Sequence, residues 1–283
     1  MYISHGEKAE ILTEALPYIQ KYNNKIIVIK YGGSAMTDEK LKTSVMRDLV
    51  LLAQIGIKVV LVHGGGPEIT ETFKRMDIRS SFINGLRQTD KEAVEVVQMV
   101  LAGKVSKSLV NLIENAGGNA ISLSGVDGRM FEATQISEEL GYVGEISTVN
   151  TKPVLDLLNN GYIPVISSVG CDRQGNIYNI NADNAASKLA QALGAYSLIS
   201  MTDTKGILLN QNDESTLVRE ILVSETEKLI SEGIVSGGMI PKIKCCADAV
   251  RNGVKQVFII DGRVPHAIII EVLSDEGIGT MFH

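Results

Sequence analysis

Short apolar runs that stop abruptly at glycine constrain this chain more than any other feature. Ile26-Ile27-Val28-Ile29 runs into Lys30-Tyr31-Gly32-Gly33, and Val59-Val60-Leu61-Val62 runs into His63-Gly64-Gly65-Gly66-Pro67. Runs of this length read as strands buried on both faces, which belong to parallel sheets covered by helices. Stretches of helical period separate them, the alternation expected of βαβ units. The spacing predicts strands near 26–30, 58–62, 119–123, 162–166, 196–200 and 255–260. It predicts helices near 38–55, 67–76, 90–116, 151–160, 182–193, 224–232 and 239–252, with hairpins between 126 and 149.

At 283 residues and 45% hydrophobic, the chain suffices for one large α/β domain or two lobes sharing a cleft. Its net charge is −6 with both signs interspersed, which argues against nucleic acid as a partner. Cys171, Cys245 and Cys246 form no disulfide framework, and His5, His63, His266 and His283 have no zinc spacing. The reading is a reducing compartment and no metal held by protein ligands. Glu7, Glu10 and Glu14 make the first 25 residues unlike a signal peptide, and no apolar run approaches a membrane span in length. A soluble, cytoplasmic protein without membrane contact is expected. Turn signals at Gly170-Cys171-Asp172-Arg173-Gln174-Gly175 mark the best lobe boundary, separating 25–172 from 173–283 behind an N-terminal segment 1–24.

Lys30 with Gly32 and Gly33 would bring an ammonium and bare backbone N–H groups to phosphate oxygens; otherwise the lysine is a solvated strand end before a turn. Gly64, Gly65 and Gly66 before Pro67 fit an anion-binding helix N-terminus, with Pro67 at the first helical position; a tight turn accounts for one glycine but less well for three. Neither a P-loop nor a Gly-x-Gly-x-x-Gly string occurs, and the esterase reading of His-Gly-Gly-Gly lacks its Gly-x-Ser-x-Gly partner.

In the second half, Asn179-Ile180-Asn181-Ala182-Asp183 opens a helix, with Asn181 as N-cap and Asp183 either functional or simply answering the helix dipole. Gly237-Gly238-Met239-Ile240-Pro241-Lys242 opens another and puts a lysine at its positive end, an unfavourable placement unless an anion is near. Arg87, in Asn84-Gly85-Leu86-Arg87-Gln88-Thr89-Asp90, would clamp a carboxylate bidentately or pair with an acidic neighbour; Thr89 or Asp90 would cap the following helix. Thr202-Asp203-Thr204-Lys205-Gly206 follows an apolar strand, where it would line a nucleotide site or make a plain turn.

Together these strings resemble the amino-acid kinase family over nearly the whole chain. The resemblance rests on Lys30-x-Gly-Gly, His63 to Pro67, Asn84 to Asp90, Asn179 to Asp183, Gly237 to Lys242 and the tail Ile260-Asp-Gly-Arg-Val-Pro-His266. It implies a two-lobed αβα sandwich with a central, mostly parallel sheet. It implies ATP and Mg²⁺, the ion carried by the nucleotide, and phosphorylation of the side-chain carboxylate of N-acetyl-L-glutamate in arginine biosynthesis. On this resemblance Lys30 and Lys242 would stabilise the transferring phosphoryl and Asp183 would hold both lysines. Gly65, Gly66, Arg87 and Asn179 would bind the amino acid. Gly32, Gly33, Thr202, Asp203, Gly206, Ile207, Ile234 and Ser236 would bind the nucleotide. The motifs hold no candidate general base, and none is needed, because a carboxylate of pKa about 4.3 is already ionised.

Ile11, Leu12, Ala15, Leu16 and Ile19 form an apolar stripe ahead of the first strand, and Pro17 is expected to kink that helix. Such helices resemble those of arginine-inhibited hexamers of the family, built as trimers of dimers, which makes Tyr18, His266, Glu271 and Gly279 candidates near bound L-arginine. The alternative is a helix packed on its own subunit. A PII-type regulator is a further candidate partner. Rival activities are a related kinase, such as one acting on N-acetyl-aminoadipate, and a non-catalytic arginine sensor, against which the two lysines and Asp183 argue.

Overall fold

The computed structural model describes residues 4–210 and 213–283; the first three residues of the 1–24 segment lie outside this range. Helices α1 (His5–Glu14) and α2 (Leu16–Tyr22) meet at Ala15, with Pro17 in the first turn of α2, the break expected there. Strand β1 (Ile26–Tyr31), helix α3 (Glu39–Gln54), β2 (Lys58–His63) and α4 (Gly66–Arg75) follow. Pro67 is the second residue of α4 rather than the first.

The single helix expected at 90–116 has three parts: α5 (Lys91–Gln98), a π-helical segment (Met99–Val105) and α6 (Ser106–Asn115). By length and composition this stretch would also suit a membrane, contrary to the expectation that no run approaches that. Here Val97, Leu101, Leu109 and Ile113 are buried in the core, so its apolar content has a packing cause. The chain continues through β3 (Ala120–Ser124), β4 (Phe131–Gln135), β5 (Val143–Val149), α7 (Lys152–Asn159), β6 (Ile163–Ser167), β7 (Val169–Cys171) and β8 (Ile177–Ile180). Then come α8 (Ala182–Ala192), β9 (Ser197–Thr202), β10 (Glu220–Ile221), α9 (Thr226–Ser231), α10 (Met239–Arg251), β11 (Gln256–Asp261), α11 (Ala267–Leu273) and β12 (Thr280–Phe282).

Eight strands form one sheet in the order β10-β12-β11-β9-β1-β2-β6-β3, parallel except where β12 runs against β11. Helices on both faces complete an αβα sandwich. The expected hairpin region is β4 and β5, which close with β7 and β8 into a four-stranded barrel. The turn at 172–176 lies inside that barrel, and the main sheet takes strands from both sides of it.

Alternation along β1 decides where the chemistry lies. Ile27, Ile29 and Tyr31 enter the core on one face, whereas Val28 joins the other core with Ala186 of α8 and with Ile243 and Cys246 of α10. Lys30 shares the face of Val28 by the two-residue period. Its register partner in β9 is Ser200, and on the other side β1 pairs with β2, so β1 stands where the connections part to left and right. The carboxyl ends of strands at such a point form a crevice.

Gly125, just after β3, sits where sheet and barrel meet: a Cβ there would lie 2.2 Å from the Val169 carbonyl oxygen and 2.4 Å from Phe131 Cδ2. Gly125→Ala is expected to cost about 1–3 kcal/mol by overpacking. Urea unfolding should show a lower midpoint at unchanged slope; an unmoved midpoint would mean the junction is loosely packed.

Candidate active site

Asp183 is the second residue of α8, whose N-cap Asn181 accepts from the backbone N–H groups of Asp183 (2.9 Å) and Asn184 (3.2 Å). The cap fixes the first turn, and the carboxylate stands between two ammonium groups. Lys30 Nζ lies 3.0 Å from Oδ1 and Lys242 Nζ 2.8 Å from Oδ2, so residues from β1, α8 and α10 meet at one point. Ser200, the register neighbour of Lys30, donates to Oδ1 at 3.4 Å. Burial would raise this carboxyl's pKa, but the charges and hydrogen bonds of the two lysines outweigh it and hold it at about 2. Each ammonium bonds Asp183 and, among the described residues, no other acceptor, which leaves donors for another anion.

On one side of the triad opens a cavity of about 600 Å³, lined by Lys30, Lys242, Gly33, Thr202, Asp203, Gly206, Ile207, Ile234 and Ser236. Beside the two lysines, these are the positions expected for the nucleotide, apart from Gly32. Gly32 serves Lys30 instead: a Cβ there would come within 2.8 Å of its Nζ. At Gly33, with φ +71°, a Cβ would meet the Asp203 carboxylate at 2.5 Å, so both glycines make room for charged side chains.

A second cavity, about 200 Å³, is lined by Gly64, Gly65, Gly66, Arg87, Asn179 and Asn181, with Phe82 and Leu101 as apolar walls. All four positions proposed for the amino acid meet here. A third space of about 690 Å³ shares Lys242 and Gly238 with the first and Gly85, Leu86 and Asn181 with the second, and Asp183 lines it. The cleft is thus continuous past the triad.

Arg87 is buried, and burial lowers its pKa. Its guanidinium donates to Thr70 Oγ1 (2.8 Å), to the Gly66 carbonyl (3.2 Å) and to Ser80 Oγ, and lies over the rings of Phe73 and Phe82. Among the described residues no carboxylate pairs with it, so the acidic-neighbour alternative falls away and a buried positive charge faces the cavity. Asn179 donates to Thr89 Oγ1 at 3.2 Å. Asp90, not Thr89, caps α5, accepting from Ala93 N at 2.8 Å. The polar and aromatic partners of Arg87 and the role of Ser200 escape sequence reading. Only the hydroxyl of Ser200 within an apolar strand gave a signal.

The four effector candidates group about α11. His266, in left-handed backbone conformation before α11, bonds through Nδ1 to buried Asp48 at 2.6 Å. Glu271 Oε2 accepts from the N–H groups of Ile278 (2.8 Å) and Gly279 (3.0 Å), and its Oε1 has no partner among the described residues. Tyr18 donates to Asp275. A Cβ on Gly279 would strike the Ile259 carbonyl oxygen at 2.2 Å. Cys245 donates to Asn184 Oδ1 at 2.9 Å, and all three cysteines are free.

A sequence model of the amino acid kinase family matches residues 25–261. The acetylglutamate kinase of Brachyspira hyodysenteriae is 53% identical over 283 residues, covering 99% of this chain and 98% of that protein. Among solved structures, N-acetylglutamate synthase from Neisseria gonorrhoeae complexed with coenzyme A and N-acetyl-glutamate matches 97% of this chain and 63% of its own length, with TM-score 0.86 and 23% identity. The same protein complexed with coenzyme A and L-arginine gives TM-score 0.81 at 22% identity, over 97% of this chain and 65% of that one. At such identities these structures establish a shared fold.

The depressed pKa of Asp183 carries a sign for stability. Its contribution is complete above the unfolded carboxyl pKa of about 3.9 and is lost as pH falls toward about 2, an effect on the order of 2 kcal/mol. Urea unfolding of wild type and Asp183→Asn from pH 6 to pH 2 should show a difference that shrinks below pH 4. A gap independent of pH would contradict the ion-pair account.

Proposed function

The chain belongs to the amino acid kinase family, and we infer from this membership and its paired lysines that it phosphorylates the side-chain carboxylate of N-acetyl-L-glutamate with ATP, a step of arginine biosynthesis. The observation that carries the mechanism is the junction of two ammonium groups on Asp183, where the cavity of about 600 Å³ meets the space that leads on to the cavity of about 200 Å³. We assign ATP to the larger, its γ-phosphate toward the lysines, and the acetylated amino acid to the smaller, with Arg87 and Asn179 among its ligands. On this reading 25–172 binds mainly the amino acid and 173–283 mainly ATP, with Lys30 and Gly33 of the first and Asn179 and Asn181 of the second reaching across that division.

The acceptor carboxylate is already ionised at neutral pH, so no base is required. One of its oxygens forms a bond to the γ-phosphorus while the bond to the β–γ bridging oxygen breaks, its electron pair leaving with ADP; the product is an acyl phosphate. The chain must position two anions that repel and neutralise charge on the phosphoryl oxygens. Lys30, Lys242 and the N–H groups of Gly65 and Gly66 suit that task, and Asp183 keeps the lysines together. Among the described residues no group of three or more acidic, His or Cys side chains could hold a metal. Mg²⁺ carried by the ATP phosphates would supply further charge neutralisation. A cytoplasmic location suits this activity.

An ATP-dependent hydroxamate assay with N-acetyl-L-glutamate tests this reading. Lys30→Met and Lys242→Met should each lower kcat by roughly 10²-fold or more at intact fold; a variant with undiminished rate would remove its lysine from the mechanism.

For regulation, L-arginine as an inhibitor is supported by Glu271 Oε1, which has no partner among the described residues and suits a guanidinium, and by α2 packing on α11. Exposed Ile11 and Leu12 of α1 and Leu16 at the start of α2 support assembly of dimers into a hexamer through the N-terminal helices. Arginine titrated into the assay should reduce the rate of wild type but not of Glu271→Ala, and light scattering should give a smaller particle after removal of residues 1–24. Full activity of the wild type in millimolar arginine rules out the effector assignment.

A further inference from the structure

All three carbonyl oxygens of the glycine segment are occupied. Gly65 O accepts from Ile69 N (2.9 Å), and Gly66 O accepts from Thr70 Oγ1 (2.9 Å) and Arg87 Nη2 (3.2 Å). Gly64 O, outside the helix, is held by Nδ1 of the preceding His63 at 2.8 Å. No acceptor among the described residues takes the N–H of Gly65 or Gly66, as expected at a helix start. A trans peptide plane points C=O and N–H in opposite directions. Where the Gly64 oxygen is held therefore dictates where the Gly65 N–H points, and a flipped plane would offer a carbonyl to an anion.

His63 is fully buried, and burial pushes its pKa down to about 4, so the ring is neutral. A carbonyl only accepts, so the proton must be on Nδ1 and the lone pair on Nε2. Nε2 lies 2.8 Å from the hydroxyl of Ser106, also fully buried, which donates to it. Ser106 is the first residue after the π-helical segment, and Leu101 and Val105 of that segment press on Gly65: a Cβ there would lie 2.7 Å from Leu101 Cδ2 and 3.3 Å from Val105 Cγ2. A π segment shifts helical register locally and is often found at functional sites. Here it brings both the hydroxyl donor and the apolar wall to the glycines.

We propose that Ser106 and His63 are positioning residues for phosphoryl transfer: the Ser106 hydroxyl locks His63 as the Nδ1–H tautomer, which holds the Gly64 carbonyl so that only N–H donors of Gly65 and Gly66 meet the reacting anions. The inference deepens the kinase reading and rests on it for the identity of those anions.

The test compares two amide replacements. An Asn side chain puts its amide N–H where Nδ1 stands, whereas Gln reaches the place of Nε2 and leaves the Gly64 carbonyl unheld. His63→Gln should lower kcat on the order of 10²-fold with a smaller change in KM, and His63→Asn should keep most of the wild-type kcat. Long-range ¹H–¹⁵N spectra of the wild type should show Nδ1 protonated and Nε2 bare with no titration between pH 5 and 8, and Ser106→Ala should mix the tautomers and lower kcat. Equal kcat in the Asn and Gln variants, or an Nε2–H tautomer in the wild type, overturns the relay. Wild-type protein inert toward N-acetyl-L-glutamate would instead sink the kinase reading, while the tautomer spectra still decide the relay on their own.

Discussion

The carboxylate of Asp183, gripped by Lys30 and Lys242, is the interaction on which the rest of the site depends. A carboxylate this enclosed is costly unless its charge is answered. Two ammonium groups more than answer it and leave one net positive charge at the triad. Arg87 adds another, with no acidic partner among the described residues, and the N–H groups of the glycine segment add partial charges. A chain of net charge −6 thus carries a locally positive cleft, which identifies an anionic ligand better than overall composition does.

The fold brings these groups together for reasons of connectivity. Lys30 stands near the carboxyl end of the strand at which the sheet's connections diverge, and α4, α8 and α10 all begin at the same edge of the sheet. The positive end of α8 favours Asp183, whereas that of α10 disfavours Lys242, and the salt bridge reconciles the two. Opposite the nucleotide-sized cavity, α4 offers amides whose carbonyls are each tied back into the protein. The site is built from donors by removing acceptors from view.

Much of this was readable from residue order. The apolar runs ending in Lys30 and His63, the cap at Asn181 and the break before Pro17 all occur where local pattern placed them, because period and capping chemistry are properties of neighbouring residues. The strands β10 and β12 and the helix α11 were not anticipated: pieces of two, three and seven residues carry too little period to stand out. The π-helical segment was read as ordinary helix, since one extra residue per turn hardly disturbs an apolar pattern. The whole stretch Lys91–Asn115 has span-like hydropathy, yet Val97, Leu101, Leu109 and Ile113 within it pack into the core, so hydropathy alone does not identify a membrane helix.

By itself the sequence determined the kind of chemistry: glycines and a lysine at strand ends, a second lysine at a helix start, an arginine ahead of a helix cap, an acidic residue in a helix's first turn. Local rules suffice for that, because each motif is short and its physics is contained within a few residues. Only the tertiary structure decided that residues 30, 183 and 242 share one ion-pair cluster, that Arg87 lies between two phenylalanine rings without a counter-ion, and that a buried histidine holds the glycine loop. The ion pairs join residues far apart in the chain, the two rings reach the arginine from separate elements, and the tautomer is fixed by a distant hydroxyl, so no local period encodes them.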